Sequence, residues 1–389
     1  MNNPAYFKNA LPGVLQLAPY QPGMPLEELQ RRLGVKDAIK LASNENPLGA
    51  SPAVREMLAA TARGELSRYP DGGGFRLKKK LAAYHGVDAE CITLGNGSND
   101  LLEFVSRVFL GPGRAALFSQ YAFAVYPIAT QAQNAEAIVV PALPRDHASM
   151  PMGHDLEGFA RELRDDVAAV FIANPNNPTG TWLAPAQIEA FLEKVPEQVV
   201  VVLDEAYFDY QAPALRTDSR ALLSRYPNLL VTRTFSKVYG LASLRVGYGL
   251  SHPSLADLLN RVRQPFNNNS LALLAAELAL EDQDFVRKSV ELNTRELARM
   301  TAEVHALGLT TLPSQANFLT IDFGRDASPI HQGLLERGVI VRPMGSYKMP
   351  DFIRVSIGTY EENSRFINTL KDVLQVSSGA RIWRLSALV

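Results

Sequence analysis

The chain has 389 residues, of which 47% are apolar, and its formal net charge is -1 at pH 7. This balance argues against nucleic acid or a membrane surface as a partner, since such binders usually concentrate basic residues on one face. The single cysteine, Cys91, excludes an intramolecular disulfide and favours a reducing compartment, most simply the cytoplasm.

The predicted elements begin with an extended arm over residues 1–40, which is rich in proline and glycine and has one short helix at "LEELQRRLG". No signal peptide is expected, and no apolar run approaches the roughly 20 residues of a membrane helix. Over residues 41–262, short runs such as "CITL", "AAVFIAN" and "VVVVLDEAYF" alternate with helical segments. Such runs are typical of buried parallel strands, so we predict a large, doubly wound α/β domain with a mainly parallel sheet.

The pattern changes after residue 262. Two long amphipathic segments precede the strand-like runs "NFLTIDF", "VIVRP" and "FIRVSIG". We predict a smaller α+β domain over residues 263–376, with the arm packed on it, and assign no role to the tail 377–389. In open α/β sheets the ligand lies at the carboxyl ends of the strands, so the residues that follow each strand are the candidates for function.

The first candidate is "GNGSND", residues 95–100, between a predicted strand and a predicted helix. Glycines let the backbone approach a ligand, and a helix N-terminus offers free N–H groups, so this loop can hold a phosphate. The alternative is a plain turn in which Ser98 caps the helix. A dinucleotide fingerprint would need a sixth-position glycine, where this chain has Asp100.

Two further strand ends carry polar side chains. "VVVVLDEAY" ends in Asp204 and Glu205. A buried carboxylate needs a cation, such as a protonated ring nitrogen, unless it has already emerged into solvent. "NPNNPTG", residues 174–180, is a rigid turn that aims amide side chains over the strand ends, or simply a tight loop.

The last candidate pair is Lys237, behind the strand "NLLVTRTF", and Arg245. Most lysines are surface residues, but a lysine here can form a Schiff base if its surroundings lower its pKa from about 10.4. Arg245 can depress that pKa, bind a phosphate, or do both.

The joint order of these groups fits pyridoxal 5′-phosphate, which has a phosphate, a ring face, a phenolic oxygen, a ring nitrogen and an aldehyde. The chain resembles the fold-type-I aminotransferases and, within them, the histidinol-phosphate aminotransferase family. "NPNNPTG", "DEAY" and "SK" carry the wider resemblance, and "PYQPG", "SNENPLG" and "RYPDGG" carry the narrower one.

The resemblance implies cofactor contacts. Lys237 would be the lysine joined to the cofactor, Asp204 would pair with the ring nitrogen, and Tyr207 with Asn177 would bind the phenolic oxygen. Tyr121 would stack on the ring face, or would only pack in the core. The residues implied at the phosphate are Gly97, Ser98, Asn99, Thr234, Ser236, Arg245 and, from the partner subunit of a homodimer, Tyr69.

The resemblance also implies a substrate end. Arg354 interrupts an otherwise aliphatic strand and would bind a carboxylate or phosphate, with Arg342 as a second arginine. The alternative for both is an internal salt bridge. Tyr20 and Asn46 would line the same pocket.

The implied activity is transfer of an amino group between L-histidinol phosphate and 2-oxoglutarate, in histidine biosynthesis. Because "QYAFAVYPIATQAQNAE" also resembles copies linked to aromatic substrates, an aromatic amino-acid aminotransferase is the first alternative. A decarboxylase of a phosphorylated amino acid is the second. A cofactor-sensing regulatory domain would normally follow a basic DNA-binding domain, whereas only a short arm precedes this fold.

Overall fold

The computed structural model describes residues 4–19, 23–61 and 67–385, with side chains described up to residue 375. The strands within these ranges are β1 (Ile39–Lys40), β2 (Ile92–Gly95), β3 (Ala115–Ser119), β4 (Glu136–Val140), β5 (Val167–Ala173), β6 (Val200–Asp204), β7 (Leu229–Thr234), β8 (Gly247–Ser251), β9 (Thr310–Thr311), β10 (Phe318–Asp322), β11 (Val339–Ile340), β12 (Arg342–Pro343) and β13 (Phe352–Ser356). The α-helices are α1 (Pro12–Leu15), α2 (Leu26–Leu33), α3 (Pro52–Thr61), α4 (Phe75–His85), α5 (Ser98–Phe109), α6 (Val125–Ala132), α7 (Leu156–Arg161), α8 (Pro185–Leu192), α9 (Ser219–Arg225), α10 (Pro253–Val262), α11 (Ser270–Glu281), α12 (Gln283–Ala306), α13 (Ser328–Glu336) and α14 (Tyr360–Leu385).

Seven strands form a large sheet in the order β2-β8-β7-β6-β5-β3-β4. The pairs β3–β4, β3–β5, β5–β6 and β6–β7 are parallel, while β8 is antiparallel to both β2 and β7. The predicted mainly parallel sheet is confirmed, with the exception that β8 is antiparallel to both of its neighbours. The reason is that residues 235–246 return to the neighbouring position without an α-helix, the usual element of a parallel crossover.

Apolar side chains cover both faces of this sheet. Along β6, Val201 and Leu203 belong to the core beneath α3, α4 and α8, whereas Val200 and Val202 belong to the core beneath α5, α6 and α10. This alternation follows from the two-residue period of a strand. The edge strand β4 differs, because three of its five residues are exposed.

The C-terminal part contains a four-stranded antiparallel sheet in the order β12-β13-β10-β9, and β1 pairs in parallel with β11. Helices α12, α13 and α14 contribute to the core over this sheet. Within the arm, α2 packs beside β11 and α13, whereas α1 contacts α6, which covers the large sheet.

Two observations bear on the predicted boundaries. Helix α11 lies beyond residue 262 yet packs on α3 and α4, in the core of the large sheet. Helix α14 continues through residues 377–385, which lie in the predicted tail. The division at residues 40, 262 and 376 stays a prediction. Among the described residues, no helix is long and apolar enough to span a membrane.

Candidate active site

A cavity opens at the carboxyl ends of β5, β6 and β7, where the small sheet faces the large one. Strand register explains why side chains distant in sequence meet here: Asp204 is paired with Ala173 on one side and with Thr232 on the other. The lining residues are Gly23, Ala42, Ser43, Asn44, Ser98, Asn99, Phe123, Ala173, Pro175, Asn177, Asp204, Ala206, Tyr207, Thr234, Ser236, Lys237, Arg245, Arg342, Tyr347 and Arg354.

Lys237 projects into this cavity from the loop that follows β7. Its Nζ donates a hydrogen bond to the carbonyl oxygen of Ser43 at 3.2 Å. Burial, together with the charges of Arg354 and Arg245, lowers the pKa of the amine from 10.5 to about 8, against the opposing charges of Glu45 and Asp204. The expected depression by Arg245 is thus present, although burial is the larger cause. An amine with such a pKa is partly neutral near neutral pH and can act as a nucleophile and a base.

Asp204 is buried at the end of β6, on the face covered by α6. Its Oδ2 accepts a hydrogen bond from the Tyr126 hydroxyl at 2.8 Å, and its Oδ1 accepts one from the Thr232 hydroxyl at 3.0 Å. Burial raises the pKa of Asp204, while these two donors and the Ala206 N–H oppose the rise. The carboxylate therefore faces the cavity with mainly neutral donors around it.

The loop before α5 has the geometry of an anion cradle. Gly97 occupies the N-cap position of α5 at φ +82°, and an added Cβ would lie 2.3 Å from Nη2 of Arg245. At Gly247, on the adjacent strand, an added Cβ would lie 2.4 Å from the backbone nitrogen of Ser98. Both positions require glycine, and the free N–H groups of the helix stay open to the cavity. Since Gly97 stands at the N-cap, the alternative in which Ser98 caps the helix does not hold.

The cationic side of this cradle is Arg245. Its Nη1 donates to Ser236 Oγ at 3.2 Å and to the carbonyl oxygen of Ala242 at 3.1 Å. The backbone N–H of Ser236 donates to Thr234 Oγ1 at 3.1 Å. Together with the first turn of α5, these groups offer hydroxyls, N–H donors and a positive charge to one anion.

Tyr207 forms the opposite wall. Its hydroxyl oxygen accepts hydrogen bonds from Asn44 Nδ2 at 2.9 Å and from Asn177 Nδ2 at 3.3 Å. Burial raises the pKa of Tyr207 to about 12, so the hydroxyl stays protonated. Its ring centre lies 5.7 Å from Nζ of Lys237.

Two arginines enter from the small sheet. Arg342 and Arg354 are cross-strand neighbours on β12 and β13, and both are buried and line the cavity. Arg354 Nη1 donates to Asn177 Oδ1 at 2.5 Å, and its Nη2 donates to the carbonyl oxygen of Ala42 at 3.0 Å. As expected, the residues on either side of Arg354 belong to the apolar core of the small sheet.

Some predicted site residues lie elsewhere. Asn46 is buried, but its amide donates to the carbonyl oxygen of Val238 and to Ser289 Oγ, which is a structural role. Tyr121 packs against the cluster around Met152, and among the described residues Phe123 is the aromatic side chain of that segment that lines the cavity. Tyr20 lies outside the described residues.

Tyr69 is also remote from the cavity of its own chain. Its side chain is 82% exposed and stacks on the ring of Phe266 at a centroid distance of 4.7 Å. A contact with a cofactor therefore requires a second subunit.

Several residues that shape the site are not predicted from the sequence. Thr232 could have been found, because it stands two residues before Thr234 on β7 and so shares its face. Asn44 belongs to the quoted "SNENPLG" block, but nothing distinguishes it there from Asn46. Tyr126 and Tyr347 gave no local signal, since only the packing of α6 brings Tyr126 to Asp204 and only the small sheet brings Tyr347 to the cavity.

The fold and this site define an enzyme of amino-group chemistry. The chain matches the model of the aminotransferase class I and II family over residues 36–370, and it belongs to that family. It is 55% identical to histidinol-phosphate aminotransferase 2 of Pseudomonas aeruginosa, over 94% of this chain and 97% of the relative. It is 51% identical to histidinol-phosphate aminotransferase 1 of Nitrosococcus oceani, over 95% of this chain and 98% of the relative.

A solved structure gives the same result. The crystal structure of histidinol-phosphate aminotransferase from Sinorhizobium meliloti in complex with pyridoxal-5′-phosphate is similar with a TM-score of 0.87 at 29% identity. The similarity covers 96% of this chain and 99% of that chain. The predicted family resemblance and fold class are confirmed.

Proposed function

We propose that this chain is a pyridoxal-phosphate-dependent aminotransferase that moves an amino group between L-histidinol phosphate and 2-oxoglutarate, in histidine biosynthesis. One observation carries the proposal: Lys237, Asp204 and the glycine-built N-terminus of α5 open into the same cavity. The names of the relatives, at 51–55% identity over nearly the full chain, support the substrate.

The residues fit the cofactor. A side chain at position 97 or 247 would fill the cradle before α5. Because Gly97 and Gly247 have none, backbone N–H groups and Arg245 can face the phosphate. Asp204 is a buried acid whose hydrogen-bond donors are Tyr126, Thr232 and the backbone, so a protonated ring nitrogen would provide its counter-charge.

The protein groups then divide the chemical work. When bound, the cofactor supplies an electron sink for the electron pair released at the substrate Cα. Asp204 would hold a proton on the ring nitrogen, and the Tyr207 hydroxyl would donate to the phenolic oxygen. Lys237 Nζ would take the proton from the substrate Cα as general base and would return it to the cofactor C4′ carbon as general acid. Its pKa of about 8 suits both roles.

Arg354 and Arg342 form the substrate end. A guanidinium fork binds a carboxylate or a phosphate through two parallel hydrogen bonds, so one pair of arginines can serve both histidinol phosphate and 2-oxoglutarate. Because both substrates would use the same pair of arginines, the first product must leave the pocket before 2-oxoglutarate enters.

The test compares donors in a single half-reaction. The cofactor-loaded yellow enzyme is mixed with histidinol phosphate or with phenylalanine, and loss of the visible absorption band is followed over time. We expect faster loss with histidinol phosphate and recovery of the band when 2-oxoglutarate is added. A faster reaction with phenylalanine would favour an aromatic amino-acid aminotransferase, and release of carbon dioxide would favour a decarboxylase.

We further propose a homodimer with shared active sites, in which Tyr69 reaches the phosphate of the partner subunit. The exposure of Tyr69 and its stacking on Phe266 support this, because a large exposed aromatic pair is unusual unless it meets a partner. Mixing Lys237→Ala subunits with Tyr69→Phe subunits should restore one normal site in each mixed dimer, which activity measurement detects. An active monomer in sedimentation at assay concentration would contradict the shared site.

We also place the enzyme in the cytoplasm, on the basis of its single cysteine and the proposed biosynthetic role. Cell fractionation with an antibody to the chain tests this location.

A further inference from the structure

We propose that Asn44 is a positioning residue that directs the hydroxyl proton of Tyr207 into the cavity. The inference rests on the proposed function, because the acceptor it assigns to that proton is the phenolic oxygen of pyridoxal phosphate. Asn44 is buried, lines the cavity and comes from the loop after β1, far in sequence from Tyr207.

The hydrogen-bonding capacity of Tyr207 determines where its proton can go. A phenolic hydroxyl donates one hydrogen bond and accepts at most two. Asn44 Nδ2 and Asn177 Nδ2 both donate to this oxygen, at 2.9 and 3.3 Å. Both accepting positions are therefore filled, and the hydroxyl proton must be donated to another atom. The hydroxyl faces the cavity, so its acceptor belongs to what the cavity binds.

The other contacts of both amides agree with this orientation. An asparagine amide can be assigned from its network, because its oxygen only accepts and its nitrogen only donates. Arg354 Nη1, which can only donate, donates a hydrogen bond to Asn177 Oδ1. Ser356 Oγ accepts from the backbone N–H of Asn44 at 2.7 Å and returns its own proton to Asn44 Oδ1 at 3.0 Å. Each amide is thus left with its nitrogen toward Tyr207.

The backbone of Asn44 is shaped for this role. It has φ +56°, a left-handed conformation that asparagine tolerates better than most residues. Its carbonyl oxygen accepts from Asn317 Nδ2 at 2.9 Å, and its backbone N–H is held by Ser356 on β13. The small sheet therefore fixes both ends of the residue that holds a large-domain tyrosine.

The two amides differ in what else they contact. Asn177 shares its oxygen with Arg354, the proposed receptor of the substrate anion, so a substrate that engages Arg354 disturbs this contact. Asn44 is held instead by two uncharged side chains, the Ser356 hydroxyl and the Asn317 amide. Asn44 therefore keeps the Tyr207 proton in place while Arg354 changes partners.

The experiment reads the bound cofactor, not turnover. The visible absorption of the lysine-linked cofactor titrates with pH as the Schiff-base nitrogen loses its proton. A hydrogen-bond donor to the phenolic oxygen lowers the midpoint of this titration, because it stabilises the unprotonated form. Tyr207→Phe should raise the midpoint by about one pH unit or more, the value of one hydrogen bond to a charged group. Asn44→Gly, which accepts the positive φ, should raise it by a smaller amount.

A double-mutant cycle isolates the contact. Asn44→Gly added to Tyr207→Phe should not move the midpoint further, because the hydroxyl on which Asn44 acts is gone. Asn134→Gly is the matched control: Asn134 also has a left-handed backbone, φ +55°, but contacts the backbone N–H of Gly13 away from the cavity. Its titration should equal that of the wild type.

Additive shifts in the cycle, or an Asn44→Gly midpoint equal to the wild type, would overturn the inference alone. A wild-type protein with no titrating band would overturn the proposed function as well, so the two failures are distinguishable. If Asn44→Gly does not fold, Ser356→Ala replaces it, since it removes the hydroxyl that orients Asn44. It should give a midpoint increase that is absent in the Tyr207→Phe background.

Discussion

Asp204 and Glu205 are consecutive, buried acids at the end of β6, and their surroundings differ in kind. Asp204 faces α6 and accepts from the Tyr126 and Thr232 hydroxyls. Glu205 faces the other way and accepts from Nε and Nη2 of Arg233, at 2.9 and 2.7 Å. The Arg233 guanidinium in turn lies 3.4 Å over the ring of Phe208.

The difference shows how a ligand site can be separated from a structural one. Glu205 has its counter-charge inside the chain, and the Thr217 hydroxyl completes its shell. Burial raises the pKa of both acids, but for Glu205 the strongest opposing influence is the Arg233 cation, whereas for Asp204 it is a neutral hydroxyl. On the cavity side of the strand end, Asp204 has hydroxyl donors and can pair with a cationic ligand. On the opposite side, Glu205 is already paired with Arg233.

The largest effect is expected from Lys237→Ala, which removes the base on the cavity side. Turnover should fall by about 100- to 10,000-fold or more, the contribution of a positioned general base. The anion cradle is untouched, so cofactor binding should persist. Borohydride reduction should attach cofactor to the wild type and not to the variant. Near-normal turnover of the purified variant would remove Lys237 from the mechanism.

Glu205→Gln tests the opposite side of the strand end. Breaking a buried ion pair leaves Arg233 without its counter-charge, which should cost about 3–5 kcal/mol of unfolding free energy. Changes in kcat should be small, because Glu205 does not line the cavity. Asp204→Asn is the matched variant and should show the reverse, with lost activity and little loss of stability. Urea unfolding and steady-state kinetics on both variants give the answer, and similar profiles for the two would end the distinction.

Arg354→Lys and Arg233→Lys extend the comparison to cations. A lysine keeps the charge but loses the planar two-point fork. At Arg354 this should lower kcat/KM by about 100-fold in both half-reactions, since hydrogen bonds to charged groups contribute roughly 1.5–3 kcal/mol each. At Arg233 it should lower the urea midpoint and leave kcat/KM nearly unchanged. A destabilised Arg354→Lys with normal kinetics would refute the substrate role.

The positions of the strand ends, and of the polar residues that follow them, could be predicted from the sequence. A strand end can be read from an apolar run, so Asp204, Lys237 and the glycine loop were placed correctly at one edge of a sheet. Its limits are equally physical. Asp204 and Glu205 are indistinguishable in the text "DEAY", and only the pairing of β6 with β7 shows that Arg233 neutralises one of them.

The same limit applies to side chains that meet through packing. Asn44 and Asn46 lie two residues apart in one loop, yet Asn44 reaches Tyr207 while Asn46 binds a backbone carbonyl. Tyr126 reaches Asp204 because α6 packs on the sheet, which no spacing within "VYPIAT" encodes. Tyr121 is placed on the ring face by the resemblance alone, whereas Phe123 lines the cavity, because the direction of a side chain in a loop is not fixed by sequence pattern.

The smallest effect concerns the cost of keeping Lys237 buried in the cofactor-free protein. Its pKa falls from 10.5 to about 8 on folding, mainly through burial. Between these two values the unfolded chain binds more protons than the folded chain, so stability rises with pH across this window. Below about pH 8 the amine is charged in both states, and the folded protein carries the whole cost.

Lys237→Met removes that charge while keeping an unbranched chain of similar length. The cofactor-free variant should be more stable than the cofactor-free wild type by roughly 1–3 kcal/mol below pH 8, a range reduced because the side chain opens partly to the cavity. The difference should shrink toward zero by about pH 10.5, because the wild-type amine is then neutral in both states. Urea midpoints at pH 7 and pH 10 measure it, with Lys79→Met, at an exposed position on α4, as the control for removing any lysine. If the difference in stability between the two cofactor-free proteins is the same at pH 7 and pH 10, burial of the Lys237 charge does not destabilise the fold. The cavity side would then resemble the Glu205 side, where the charges are paired within the chain.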